Sequence, residues 1–294
     1  MRRLVLLAGI WGWSFLFIRV AVRGMTPTTV AGTRVALGAA VLLVVVRARG
    51  LRLPRELRWW RHFAVAALIS NAVPFSLLAW GEQHISSALT SVLNASTPLF
   101  AALMVGLFLG ERLRPAQLFG LVLGFFGVAV AAGAGSADLA RSSIGGDLAA
   151  VGAAACYGMG FTYAQRHLTG LAPIVASAGQ LLMATVLLAP VAAATSASRG
   201  VHLTPWRLLC VGLLGVVGTG VAYVLYYRLI AQVGATRTSV VTYIIPVVAV
   251  AVGVLVLGET FHLRLLIGGG LIVIGIAFLQ GAVLRSKALP SVTA

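Results

Sequence analysis

The sequence predicts an all-α integral membrane protein, with ten transmembrane helices arranged as two inverted five-helix repeats. Three observations predict it: a composition too apolar for water, ten hydrophobic runs of membrane-crossing length, and a first half that the second half repeats.

At 60% hydrophobic and 10% charged, with a mean hydropathy of +1.02, the chain is far from the soluble norm of about half apolar and about a quarter charged residues. Membrane lipid is its expected surroundings. A net charge of +16 would point to nucleic acid only if the basic residues shared one soluble face with stacking aromatics. Here they punctuate hydrophobic runs, so no nucleic-acid partner is expected. Cys156 and Cys210 fall in apolar segments, where they read as small buried hydrophobes rather than a disulfide or metal ligands. No metal and no cofactor is expected.

About 20 apolar residues make one crossing. The runs lie at roughly 4–22, 28–46, 62–80, 86–109, 118–134, 148–165, 174–194, 208–227, 235–258 and 265–284. The first follows Arg2 and Arg3, as a signal peptide would, but no small-x-small cleavage site follows, so it reads as an uncleaved span. The termini and the loops on their side carry fourteen basic residues, among them Arg47, Arg49, Arg52, Arg55, Arg58 and Arg61; the opposite loops carry five, Arg23, Arg141, Arg199, Arg207 and Arg264. By the positive-inside rule both termini are cytoplasmic. In a bacterium this is the inner membrane.

PLFAALMVGLFLGE, from Pro98 to Glu111, returns as PVVAVAVGVLVLGE, from Pro246 to Glu259. The same offset of 148 pairs Thr90 with Thr238, Ser91 with Ser239, Gly120 with Gly268 and Gly127 with Gly275, while an offset of 146 pairs Gly12 with Gly158, Phe15 with Phe161 and Pro27 with Pro173. This divides the chain into a first repeat at 1–134, a linker at 135–147, a second repeat at 148–284 and a cytoplasmic tail at 285–294. Five is odd, so the second repeat enters the membrane facing the other way. One fold in two opposed orientations can open to either side by exchanging the halves' conformations around a midplane site.

An ionisable group inside a bilayer costs at least about 3 kcal/mol and faces a cavity or a partner. Arg19, Arg34 and Arg237 qualify. Arg19 and Arg237 lie near span ends and can snorkel to the interface; Arg34, about two turns into span two, is either a clamp on helix-end carbonyls or a substrate-facing cation. Glu82, Glu111 and Glu259 sit at span ends and no carboxylate sits mid-span. That pattern predicts uncoupled, facilitative passage, because ion coupling uses an intramembrane Asp, Glu or His relay. Gly110-Glu111 and Gly258-Glu259 read as span stops, with glycine in the left-handed cap. Pro74, Pro98 and Pro246 fall within spans, where each removes a backbone hydrogen bond and bends its helix; they are the candidate hinges.

Polar and aromatic stripes at helical spacing mark a pocket wall. They join Trp11 with Ser14, Asn71 with Phe75, Thr90 with Asn94, Tyr157 with Phe161, Tyr223 with Tyr226, and Thr242 beside Tyr243. These are the candidate substrate-binding residues. For a Ser or Thr, a bond back to its own helix is the alternative, and for Tyr226 an interfacial belt. Gly120, Gly124 and Gly127, with Gly268 to Gly270 and Gly275, mark spans five and ten as close-packing helices within one chain, which favours a monomer over a dimer.

WGWSFLFIRVAV at Trp11 to Val22, the arginine of TRVALGAAVLL at Arg34, and the stretch from Ala88 to Val128 with its weaker copy ending in LGET together resemble the EamA branch of the drug/metabolite transporter superfamily, across essentially the whole chain. The resemblance implies a ten-span inner-membrane carrier of two EamA repeats with a central cavity. Within the family the chain looks most like the aromatic amino-acid exporters. The family's first span commonly reads Trp-Gly-Ser-Asn-Phe, whereas Trp13 and Ser14 stand in the Ser-Asn places here, which points away from a strongly polar substrate.

An intramembrane enzyme would need a His-Glu-x-x-His, paired carboxylates or a Cys/His cluster, and the sequence has none of them. Phosphorylated substrates would favour several cavity cations, yet no lysine lies in a span. Export of a small, partly apolar molecule such as an amino acid, aromatic ones included, is the expectation; a drug or other metabolite, possibly with proton coupling, is the alternative.

Overall fold

The structure, a computed structural model, describes residues 2–109, 113–133, 143–233 and 241–287. Glu111, Arg237 and most of the expected linker lie outside the described residues. The described residues form ten helical rods: α1 (Arg2–Ala21), α2 (Pro27–Ala48), α3 (Leu57–His84), α4 (Ser87–Asn94 and Thr97–Leu109), α5 (Pro115–Ala132), α6 (Ile144–His167), α7 (Pro173–Arg199), α8 (Pro205–Val233), α9 (Val241–Leu257) and α10 (Leu263–Lys287). Among the described residues nine of these are long and apolar enough to cross a membrane, and α9 is a shorter apolar helix of 17 residues.

The helix starts follow from local chemistry. Thr26, Ser86, Ser143 and Thr204 each accept a backbone N–H three residues on, at 3.1 to 3.3 Å, which satisfies a donor the helix leaves orphaned. Pro27 and Pro205 follow two of these caps, where a missing N–H costs nothing. Gly133 and Gly258 close α5 and α9 with φ of 88° and 66°, the left-handed cap expected after Leu257.

The two repeats interlock rather than sit side by side. Helix α2 lies along α7, and α5 along α10; α1 packs on α8 and α9, and α6 packs on α3 and α4. Each contact has a counterpart with the halves exchanged. A Cβ on Gly12 would meet the Val248 side chain at 2.5 Å, and one on Gly158 would meet the Phe100 side chain at 2.8 Å. At the α5–α10 contact, Gly120 would meet the Gly275 carbonyl at 2.5 Å and Gly127 the Gly268 carbonyl at 2.7 Å. Such approach needs small residues.

The candidate hinges behave differently from one another. Helix α4 is interrupted at Ala95 and Ser96, so Pro98 lies in the first turn of a new segment, directly after the break. Its counterpart Pro246 runs inside a continuous α9. Pro74 directly follows a π-helical turn, Leu68–Ala72, within α3. A second π-helical turn, Val216–Val221, lies at the equivalent place in α8 without any proline.

Replacing Gly127 by Leu forces a side chain against backbone that cannot yield, so G127L is expected to lose about 1–3 kcal/mol of stability. The loss reads as a fall in thermal midpoint or in the monodisperse fraction on size exclusion; an unchanged midpoint contradicts the contact.

Candidate functional site

Midway along the seam between the repeats lies a polar cluster, and the two π-helical turns build it. A π turn inserts a residue and re-aims the side chains around it. In α3 the turn holds Asn71, and in α8 it holds Thr219; both are fully buried. Arg34 on α2 donates from Nε to the Thr219 hydroxyl at 2.9 Å, and Gln180 on α7 donates from Nε2 to the Asn71 carbonyl oxygen at 2.5 Å. Asn71 in turn donates to the Tyr223 hydroxyl at 3.4 Å, while Thr219 donates to the Leu214 carbonyl at 3.1 Å. The Arg34 guanidinium lies 3.9 Å from the centre of the Phe75 ring, in cation–π contact. Phe75 meets Tyr157 edge-on, with ring centres 6.2 Å apart.

The repeat register relates these residues. Arg34 and Gln180 are 146 apart, and Asn71 and Thr219, like Phe75 and Tyr223, are 148 apart, the offsets that align the two halves. One interaction is therefore made twice: a donor on the second helix of each half binds the π turn of the other half. Gln180 and Thr219 escaped the stripe search, and the register alone would have found them.

Of the sequence candidates, Asn71, Phe75, Tyr157, Tyr223 and Arg34 meet in this cluster. Trp11 and Tyr226 pack against one another at a tilt of 49°, ring centres 5.5 Å apart. Ser14 is buried and bonded back to the Ile10 carbonyl at 3.1 Å, and Thr90 to the Ser86 carbonyl at 2.9 Å, the helix-internal alternative for hydroxyls. Asn94 stands at the break in α4 with its buried carbonyl oxygen unpartnered. Thr242 and Tyr243 are half-buried on α9. Phe161 is 56% exposed, whereas its counterpart Phe15 is 5% exposed, so the two equivalent positions are packed differently.

Three charged residues depart from expectation. Arg19 has partners the sequence did not show: its Nη1 donates to the carbonyls of Glu82 and Ile85, at the C-terminal end of α3, where the helix dipole favours a cation. The carbonyl clamp is thus Arg19, and Arg34 binds a hydroxyl instead. Glu82, placed at a span boundary by sequence, is at the end of its helix yet fully buried, and among the described residues neither carboxylate oxygen has a hydrogen-bond partner. A cleft of about 290 Å³ lined by Arg19, Val22, Arg23, Glu82 and Gln83 lies beside it. Glu259 does more than follow a span stop: its carboxylate accepts the backbone N–H of Ser87 at 2.8 Å and of Ala88 at 3.0 Å, capping the first turn of α4 from the other repeat.

The profile of the EamA-like transporter family matches residues 3–133 and again 144–280. The chain belongs to the EamA-like transporter family. Among relatives of this transporter, an uncharacterized transporter YoaV of Bacillus subtilis is 25% identical over 270 residues, 91% of each chain. A probable terminal-alkyne amino-acid exporter of Streptantibioticus cattleyicolor is 27% identical over 279 residues, covering 94% of this chain and 92% of that one. An uncharacterized inner membrane transporter YedA of Escherichia coli K12 is 28% identical over 257 residues, 85% of this chain and 80% of its own. A solved crystal structure matches with a TM-score of 0.64 at 23% identity, covering 96% of both chains; that likeness shows the fold alone.

Removing the Glu259 carboxylate leaves two N–H groups of α4 without an acceptor. E259A is expected to lose about 1–2 kcal/mol and E259Q to recover part of it, read from thermal unfolding of the purified transporter; equal midpoints for all three proteins contradict the cap.

Proposed function

We propose that this transporter exports amino acids, aromatic and other neutral ones included, by alternating access, and that passage is facilitative. Export here means release at the face opposite the arginine-rich loops, from a bacterial inner membrane with both termini in the cytoplasm. The substrate sits at the seam, between the π turns of α3 and α8.

The observation that carries this reading is the doubled bond, Arg34 to Thr219 and Gln180 to Asn71. Polar groups are costly in a bilayer and mark pathways when they face the bundle interior. Here they gather with three aromatic rings at the contact that two opposed halves must rearrange. An inverted pair that is closed at one end and open at the other is one of two equivalent conformations, and the unequal exposure of Phe15 and Phe161 fits that state. The printed name of the Streptantibioticus relative, a probable terminal-alkyne amino-acid exporter, favours amino acids as the substrate class.

A second reading, proton-coupled export of a drug or other metabolite, is favoured by one observation: the buried, unpartnered carboxylate of Glu82, a group that can bind a proton at that end of the bundle.

Purified protein in liposomes, given a panel of labelled amino acids with and without an imposed proton gradient, separates the two. Facilitated passage predicts equilibration without concentration in either condition; accumulation driven by the gradient overturns it. In the same assay N71A and Y157A are expected to lower uptake at least about tenfold while remaining folded, a loss of the size that follows from misplaced substrate. Unchanged rates in both variants contradict the placement of the site.

A further inference from the structure

Arg34 and Arg19 are both arginines within spans, and their hydrogen bonding differs. Arg19 spends its terminal nitrogen on two helix-end carbonyls. Arg34 has only its Nε engaged, on Thr219, and one face of its guanidinium laid on Phe75. Among the described residues no carboxylate lies within ion-pair distance of Arg34, the one such pair being Glu56 with Arg58 in an exposed turn. The two Nη atoms donate to no described residue, yet they are absent from the fully enclosed atoms that lack partners. Their N–H groups therefore open onto space that a small group can reach.

The charge is not needed for the frame. At the equivalent position the neutral Gln180 makes the same bond to the opposite π turn. A cation buried in a span costs at least about 3 kcal/mol, so a full charge added where an amide suffices calls for an anion. A guanidinium is suited to this, because its planar fork matches the two oxygens of a carboxylate. Phe75, Tyr157 and Tyr223 stand around it with rings for an apolar body.

We propose that Arg34 receives the carboxylate of the substrate on its free Nη edge, so that the transporter takes carboxylate-bearing molecules with an apolar body and discriminates against their amine-only counterparts. This rests on the reading of the seam as the substrate site.

The test compares three probes of one shape on the purified full chain in detergent: phenylalanine, 3-phenylpropionate, which keeps the carboxylate alone, and phenethylamine, which keeps the amine alone. Binding is read by calorimetry and by thermal shift. Wild type is expected to bind the two carboxylates at least about tenfold more tightly than the amine, the size of a lost charge-assisted hydrogen bond. R34Q, which places on α2 the side-chain type found at the equivalent place on α7, is expected to keep its fold and lose that preference; R34K is expected to retain part of it. Equal binding of amine and carboxylates by wild type, binding of none of the three, or a preference preserved in R34Q overturns the proposal. The wild-type comparison decides even if a variant does not fold. Should wild type prefer the carboxylates while phenylalanine enters proteoliposomes no faster than protein-free liposomes, Arg34 stands as a carboxylate site and the export reading fails.

Discussion

In lipid, every polar group must be satisfied by the chain itself. The seam of this transporter meets that constraint by exchange: the second helix of each half supplies the donor that the π turn of the other half requires, Arg34 to Thr219 and Gln180 to Asn71. Neither half can settle these groups alone. The interlocked packing follows the same logic, with α1 held by α8 and α9, and α6 held by α3 and α4. The glycines of α5 and α10 bring two backbones into contact behind the seam, which fixes a scaffold against which the polar helices are free to differ.

Function grows from the imperfection of that exchange. With glutamine as the donor in both halves the cluster would be neutral. Instead one of the two donors is a cation, and the α3 turn carries an amide where the α8 turn carries a hydroxyl. Those differences leave an interior with an unmatched charge beside three aromatic rings. At one end of the bundle a second asymmetry accumulates: Arg19 holds the end of α3, Glu259 holds the start of α4, and Glu82 is buried between them without a hydrogen-bond partner among the described residues. These contacts cross between elements that opening at that end must separate.

The fold was legible because its two signals are global. Apolar runs of crossing length report spans whatever their packing, and an offset repeated over dozens of residues reports a tandem. The site was legible in part. Asn71, Phe75, Tyr157 and Tyr223 stood out as polar or aromatic side chains in apolar helices, and they do meet. Gln180 and Thr219 did not stand out, because a lone amide or hydroxyl in a span is common and only the register ties them to Arg34 and Asn71. The partners of Arg19 were not legible, since they are backbone carbonyls more than sixty residues away, which no side-chain pattern encodes. The burial of Glu82 depends on α1 crossing over the last turn of α3, a packing fact with no local signature. The helix breaks before Pro98, where Ser96 and Thr97 bond back to the Leu93 and Asn94 carbonyls, and α9 runs unbroken to Pro246, where two isoleucines stand in their places; the shared proline alone does not decide the backbone.

The central claim is that the two halves exchange conformations around the seam, and Phe15 and Phe161 test it most directly, since they are the same position in opposed repeats. Single cysteines at these two sites, with Cys156 and Cys210 replaced by serine, would be reacted with a membrane-impermeant maleimide applied to either face of sealed vesicles. Alternating access predicts that the two cysteines react from opposite faces and that conditions raising one rate lower the other. Reaction of both from one face, or a cysteine at 15 that stays inert from either face under every condition, would contradict it.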